Sequence, residues 1–240
     1  MRSIPPLCIL AQALLLSCGE AGPPPAEPSA SALPLDSTPL AAGETRLVSN
    51  GDTLRLAVLA PEDGRQRLIR TVSGDAPDST TAIVDAATKQ PIESYRIAGT
   101  GDGDSVTARI EYGRGFEGQA RLALHTPQGS ADENLRTPSP SLDAGQLPLS
   151  LSALRFGEAD SVHFNYVAPF EQRALAARLL VGRLETLRIG DTEARAWPVL
   201  LQVSGLEERY WFSEAPPHAL LRLEEITRGR TWTRVGPPAP

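Results

Sequence analysis

After residue 18 the chain has no cysteine; its two thiols, Cys8 and Cys18, both fall in the opening segment. That excludes a disulfide framework in the body of the protein and any metal site built on thiolates. Histidine is almost as scarce. His125, His163 and His218 stand far apart and no HExxH occurs, so a zinc site has no frame. No GxSxG elbow is present, and a hydrolase would need a triad assembled in space. Lysine is nearly missing too: Lys89 is the only one, and arginine carries the rest of the positive charge. The formal charge is −6, which suits neither phosphate backbones nor anionic lipid, so nucleic acid is not expected as a partner. No apolar run reaches the ~20 residues of a membrane-spanning helix. From these absences we expect no catalytic residue, no metal and no cofactor.

The longest apolar run, Leu7 to Leu16, follows Arg2 and fits the core of an export signal. It ends in Leu15-Leu16-Ser17-Cys18, which resembles the bacterial lipobox: an aliphatic residue, a tolerant position, a small residue, then cysteine. The resemblance implies that residues 1–17 are a lipoprotein signal, that Cys8 is discarded with it, and that Cys18 receives the lipid. Two or three acyl chains on one cysteine make an effectively permanent anchor. Gly19, rather than Asp, after the cysteine leans towards the outer membrane by the enteric rule, which puts the protein in the envelope, facing the periplasm. Loss of Arg2 with the signal takes the formal charge from −6 to −7.

Residues 18–44 are rich in Pro, Ala and Ser and carry few large apolar groups. Such a segment cannot bury enough surface to offset its ordering entropy, so it is expected to be a flexible tether. A random coil of that length spans about 25–30 Å. Residues 45–235 are expected to form one domain, long enough to remove about 70% of its unfolded surface from water. The tail from residue 236 reads as a stop.

Within the domain the dominant period is two, the signature of strands. Leu54, Leu56 and Val58 alternate with polar or small neighbours, as do Ala108, Ile110 and Tyr112, and Val199, Leu201 and Val203 share one face. Turn signals separate these runs: Asp63-Gly64, Gly101-Asp102-Gly103, Arg114-Gly115, Gly190-Asp191, Pro216-Pro217 and Arg228-Gly229. The pattern predicts an all-β fold, a curved antiparallel meander. Residues 126–148 lack a period and are expected to be a long crossing loop, ending in a short helical turn near 149–154. Residues 171–182 hold strong helix formers, yet Leu175, Ala177, Leu179 and Val181 alternate, and a strand is expected.

GTGDGDS at 99–105 invites comparison with calcium and phosphate loops. The calcium spacing fails, because the twelfth residue from Asp102 is Gly113, and the strand-to-helix setting of a phosphate loop is missing. A hairpin turn is the expectation. Glu207-Glu208 and Glu224-Glu225 could suggest acid/base pairs. Neighbours on a strand point to opposite faces, so neither couple makes a site by itself, and solvated faces are expected. Trp197, Tyr210, Trp211 and Trp232 are either core or the wall of an apolar cavity.

In order and character, TTAIVDAATKQPIESYRI, VTARIEYGRGFEGQA, the step Leu147-Pro148-Leu149 and LETLRIGDTEARAWPVLLQVSGLEERYWFSEAPPHALLRLE resemble a family of bacterial envelope proteins catalogued as a domain of unknown function. The resemblance implies a strongly curved antiparallel sheet similar to the half-barrels of lipoprotein carriers, and it brings no catalytic residue. We therefore expect a non-enzymatic, membrane-anchored lipoprotein that binds a lipid or other apolar ligand. The alternative is an envelope scaffold that binds a protein partner.

Overall fold

The computed structural model describes residues 33–74, 77–100, 104–113 and 118–236. The signal, Cys18, the turns at 101–103 and 114–115 and the end of the tail lie outside the described residues.

The first half is a meander of eight strands: β1 (Gly43–Ser49), β2 (Asp52–Val58), β3 (Arg65–Ser73), β4 (Asp78–Asp85), β5 (Pro91–Gly99), β6 (Ser105–Tyr112), β7 (Gln119–Thr126) and β8 (Gly129–Arg136). Each pairs antiparallel with the next. Local chemistry sets the turns. Asn50-Gly51 joins β1 to β2 with φ of +50° and +91°, the twist a two-residue hairpin needs and one that glycine adopts at little cost.

The second half contains β9 (Ser141–Asp143), the single-turn helix α1 (Leu147–Ser150), β10 (Ser161–Ala168), β11 (Arg173–Val181), β12 (Glu185–Ile189), β13 (Thr192–Val203), β14 (Leu206–Ser213), β15 (Leu220–Glu225) and β16 (Arg230–Arg234). It ends beside β1, so all sixteen strands join one sheet in the order 8-7-6-5-4-3-2-1-16-15-14-13-11-10-9, with β12 paired to β13. The β9–β10 pair is parallel and the rest are antiparallel. The fold is the expected all-β, mostly antiparallel sheet with one short helix.

The two ends of this order, β8 and β9, are joined by residues 137–140 alone, a link of at most about 18 Å. The sheet must therefore roll until its ends meet. β9 touches β5 and β8 touches β11, so the ends pass each other instead of pairing. Alternation now decides inside from outside. Leu47, Leu54, Leu56, Leu68, Val199, Leu201, Phe212 and Trp232 point into the main core. A second cluster lies under β6–β8, around Ile110 and Leu122.

Three expectations are corrected. Residues 126–148 are not a loop: β8 and β9 form there, and β9 and α1 plug the interior. Asp143 is fully buried and accepts hydrogen bonds from Ser94 Oγ (2.7 Å), Tyr112 Oη (2.7 Å) and the Gly145 amide (2.8 Å). Residues 33–44, expected in the tether, are held on the fold. Leu40 is buried, the Gln66 side chain bonds both its amide and its carbonyl, and the Leu40 carbonyl contact measures 2.7 Å. Lys89 is also fully buried, its Nζ donating to the carbonyls of Asp36, Thr38 and Ala86 at 2.8 Å and of Ala87 at 3.1 Å. The Pro, Ala and Ser of the surrounding segment hid this strap, which is held both by Leu33, Leu35 and Leu40 against the core and by its backbone carbonyls. The solvated-face reading of the glutamate couples is corrected in the next subsection. The expected strand at 171–182 forms as β11, and the helical turn appears at Leu147–Ala153.

Candidate functional site

The interior is not packed solid. A cavity of about 280 Å³ lies between β3–β5 on one side and β10–β15 on the other. Its apolar wall includes Phe170, Leu175, Leu206 and Leu223, and its polar wall includes Arg70, Arg96, Tyr166, Glu208 and Glu225.

Strand alternation brings these charges inside. Arg70 sits between Leu68 and Val72 on the buried face of β3, and Arg96 follows Ser94 on the buried face of β5. Asp78 on β4 holds both. It accepts Nη1 of Arg70 at 2.9 Å, and Nε and Nη2 of Arg96 at 3.0 and 2.6 Å. Burial pushes the Asp78 carboxyl up, and the two guanidiniums outweigh that and hold it below its ordinary value. The Arg96 guanidinium also lies 4.6 Å over the Phe170 ring.

Opposite stand two carboxylates. Glu208 and Glu225 are register partners across β14 and β15, one from each sequence couple. The expectation of solvated faces fits the couples' other members: Glu207 accepts from Gln202 and Glu224 pairs with Arg222. It fails for Glu208 and Glu225, because the rule that separates neighbours on one strand also places these two on the same inner face. Glu225 is 4% exposed and bonds Arg228 (3.3 Å) and Trp232 Nε1 (3.1 Å). Glu208 Oε2 accepts a very short hydrogen bond from Tyr210. Burial pushes the Glu208 carboxyl above its ordinary value; the Glu225 charge adds to this, while Tyr210, Arg70 and Arg228 oppose it. Tyr166, from β10, lines the same space, and burial raises its phenol.

The four aromatic residues read as either core or the wall of one apolar cavity do not come together at the cavity. Tyr210 alone lines it. Trp232 is buried in the core beneath and reaches it only through Glu225. Trp211 points to the outer face, where it packs with Leu187, Ala196 and Leu221 and donates to Glu185 at 2.7 Å. Trp197 stacks on Phe156 at 5.6 Å, in a group that also holds His218. Sequence reasoning missed Arg70, Arg96 and Tyr166, and read Glu208 as part of a solvated couple. The available signal was a charge in an otherwise apolar alternation, as in Leu68-x-Arg70-x-Val72 and Glu208-x-Tyr210-x-Phe212.

Elsewhere, His125 Nδ1 lies 2.6 Å from Ser130 Oγ on the exposed β7–β8 hairpin, and among the described residues no carboxylate completes a triad there. Gly99 pairs with Ser105 across β5 and β6, so GTGDGDS joins two antiparallel strands, the hairpin setting expected. Among the described residues no group of three or more His, Cys, Asp and Glu side chains is placed to hold a metal ion.

No family model matches the chain, and no curated protein matches it. The fold is similar to that of a solved β-barrel-like protein of the domain of unknown function DUF1849 from Brucella abortus. The two superpose with a TM-score of 0.52 at 11% identity, over 84% of this chain and 97% of that one. At that identity the likeness concerns the fold.

Proposed function

We propose that the protein is a non-enzymatic envelope lipoprotein, anchored through Cys18 and facing the periplasm, that holds a small amphiphilic ligand inside its rolled sheet. The observation that carries this reading is the cavity of about 280 Å³ inside the rolled sheet, with apolar residues on one wall and charged residues on the other. Its size refines the expectation of an apolar or lipid ligand. A compact ligand or part of a single acyl chain fits, and a diacyl lipid does not. The polar wall demands a head group as well as an apolar body.

The scaffold alternative has one feature in its favour, the exposed strand β8 at an end of the sheet. That strand carries Asp132 and Glu133, and charges of this kind discourage strand addition. Arg121 pairs with Asp132 at 2.5 Å and keeps the surface polar.

The test is native mass spectrometry of the chain from Leu33 onward, purified without detergent. A stoichiometric bound small molecule, lost in Leu175→Trp, which fills the cavity, supports the reading. A protein of bare mass that binds nothing from an envelope extract argues for the scaffold. Anchoring is tested separately: Cys18→Ser is expected to move the protein from the membrane to the soluble fraction.

A further inference from the structure

Three groups on the cavity wall keep unused hydrogen-bonding capacity. Arg70 donates one bond, from Nη1 to Asp78, which leaves its other N–H groups open. Glu208 accepts one, at Oε2 from Tyr210, and Oε1 is unused. The Tyr166 hydroxyl has no hydrogen-bond partner among the described residues, although it lines the cavity and packs against the main core. Arg70 and Glu208 feel each other's charge but do not approach within 4.0 Å as an ion pair. By contrast, Arg96 is bidentate on Asp78, and Glu225 is held by Arg228 and Trp232.

Arg70, Glu208 and Tyr166 are half-buried and turn their unused polar atoms towards one gap, where a ligand that carries both an acceptor and a donor can bridge them. A purely anionic ligand would meet Glu208 and Glu225. A purely cationic one would meet Arg70, Arg96 and Arg228. A ligand with both charges close together meets each wall with the opposite sign.

We propose that the cavity takes a compact zwitterion with an apolar substituent, of the α-amino-acid type: its anionic group on Arg70 and the Tyr166 hydroxyl, its ammonium on Glu208, its side group against Phe170 and Leu175. This rests on the ligand-binding reading above and names the ligand's chemistry.

The experiment is calorimetric titration of the full chain carrying Cys18→Ser with three probes of similar size: L-leucine, hexanoate and hexylamine. The expected result is one-to-one binding of leucine, at least ten-fold tighter than either singly charged probe. Arg70→Gln and Glu208→Gln are each expected to abolish that preference. Both alter groups bonded within the fold, so Tyr166→Phe serves as the control. It removes a hydroxyl that none of the described residues bonds, and should leave the urea midpoint unchanged while weakening leucine binding about three- to ten-fold. Equal or tighter binding of hexanoate or hexylamine would overturn the zwitterion, as would failure of leucine to bind. Either result leaves the amphiphile reading standing if mass spectrometry still finds a bound molecule. If that too finds none, both fall.

Discussion

Lys89 is the one lysine in the chain, and its ammonium sits where no side chain can partner it directly. Four backbone carbonyls accept it instead: two from the strap at Asp36 and Thr38, two from the turn at Ala86 and Ala87. Lys89→Met keeps the apolar stem and the left-handed backbone strain (φ +59°) but strips the donors from those carbonyls. The expected cost is about 2–4 kcal/mol, read as a lower urea midpoint, together with faster proteolysis near residues 36–42. Glu208 makes the opposite case. Its folded-state pKa is raised, so it contributes stability fully present below the ordinary value of 4.5 and lost as pH rises through the raised one. Tyr210, Glu225, Arg70, Arg228 and Tyr166 are the groups that set this field. Glu208→Gln is therefore expected to flatten the fall in stability just above pH 4.5, as measured by urea unfolding across that range. Neither role was legible in the sequence. The lysine was visible, but its partners are carbonyls, which every residue has. The acid couples were visible too, but the pair on the inner face takes one member from each couple, and that needs the β14–β15 register.

At the scale of elements, alternation served well where strands are regular. It identified β11 against a helix-prone composition, because an alternating apolar face finds a sheet neighbour on each side and tertiary packing then overrides propensity. It failed at 126–148. β8 has an exposed face on most of its length, and β9 is three residues long and buried throughout, so neither shows a period. The β9–α1 plug depends on close approach to β4. A Cβ on Gly145 would collide with the Thr80 methyl and sit 2.8 Å from Thr80 Cβ. Gly145→Ala is expected to cost about 1–3 kcal/mol by overpacking. Thr80 Oγ1 is buried without a partner, so Thr80→Ala removes the nearest obstruction, the methyl, together with an unsatisfied hydroxyl, and leaves only the Cβ contact at 2.8 Å. The double variant should recover part of the stability lost in Gly145→Ala, the remainder being the Cβ contact at 2.8 Å. Urea unfolding of the four proteins of the cycle checks this, and simple additivity would show that the plug does not press on β4.

At the scale of the whole molecule, the sequence announces strands and turns but not where the sheet begins to roll, because curvature belongs to pairing between distant segments. The strap shows the consequence. Composition places the start of the domain at Thr45, inside β1, whereas the interior is sealed from Leu33 onward. The Asp36 amide bonds the Ala153 carbonyl at 2.7 Å and the Arg155 amide bonds the Pro34 carbonyl at 2.9 Å, which fastens the strap to the end of the helical plug. A chain begun at Thr45 loses the buried Leu40, worth about 1.5–3 kcal/mol. It also leaves Gln66 without its two bonds to Leu40 and Lys89 without two of its four carbonyls. A combined loss of about 3–5 kcal/mol is a large part of the 5–15 kcal/mol that holds a typical domain folded. The chain from Thr45 should therefore unfold at a clearly lower urea concentration than the chain from Leu33, with a smaller m-value if the core is already partly open. Coincident midpoints would mean that the strap only rests on the fold. A separation that Lys89→Met largely reproduces in the chain from Leu33 would show that one ammonium carries most of the strap's hold.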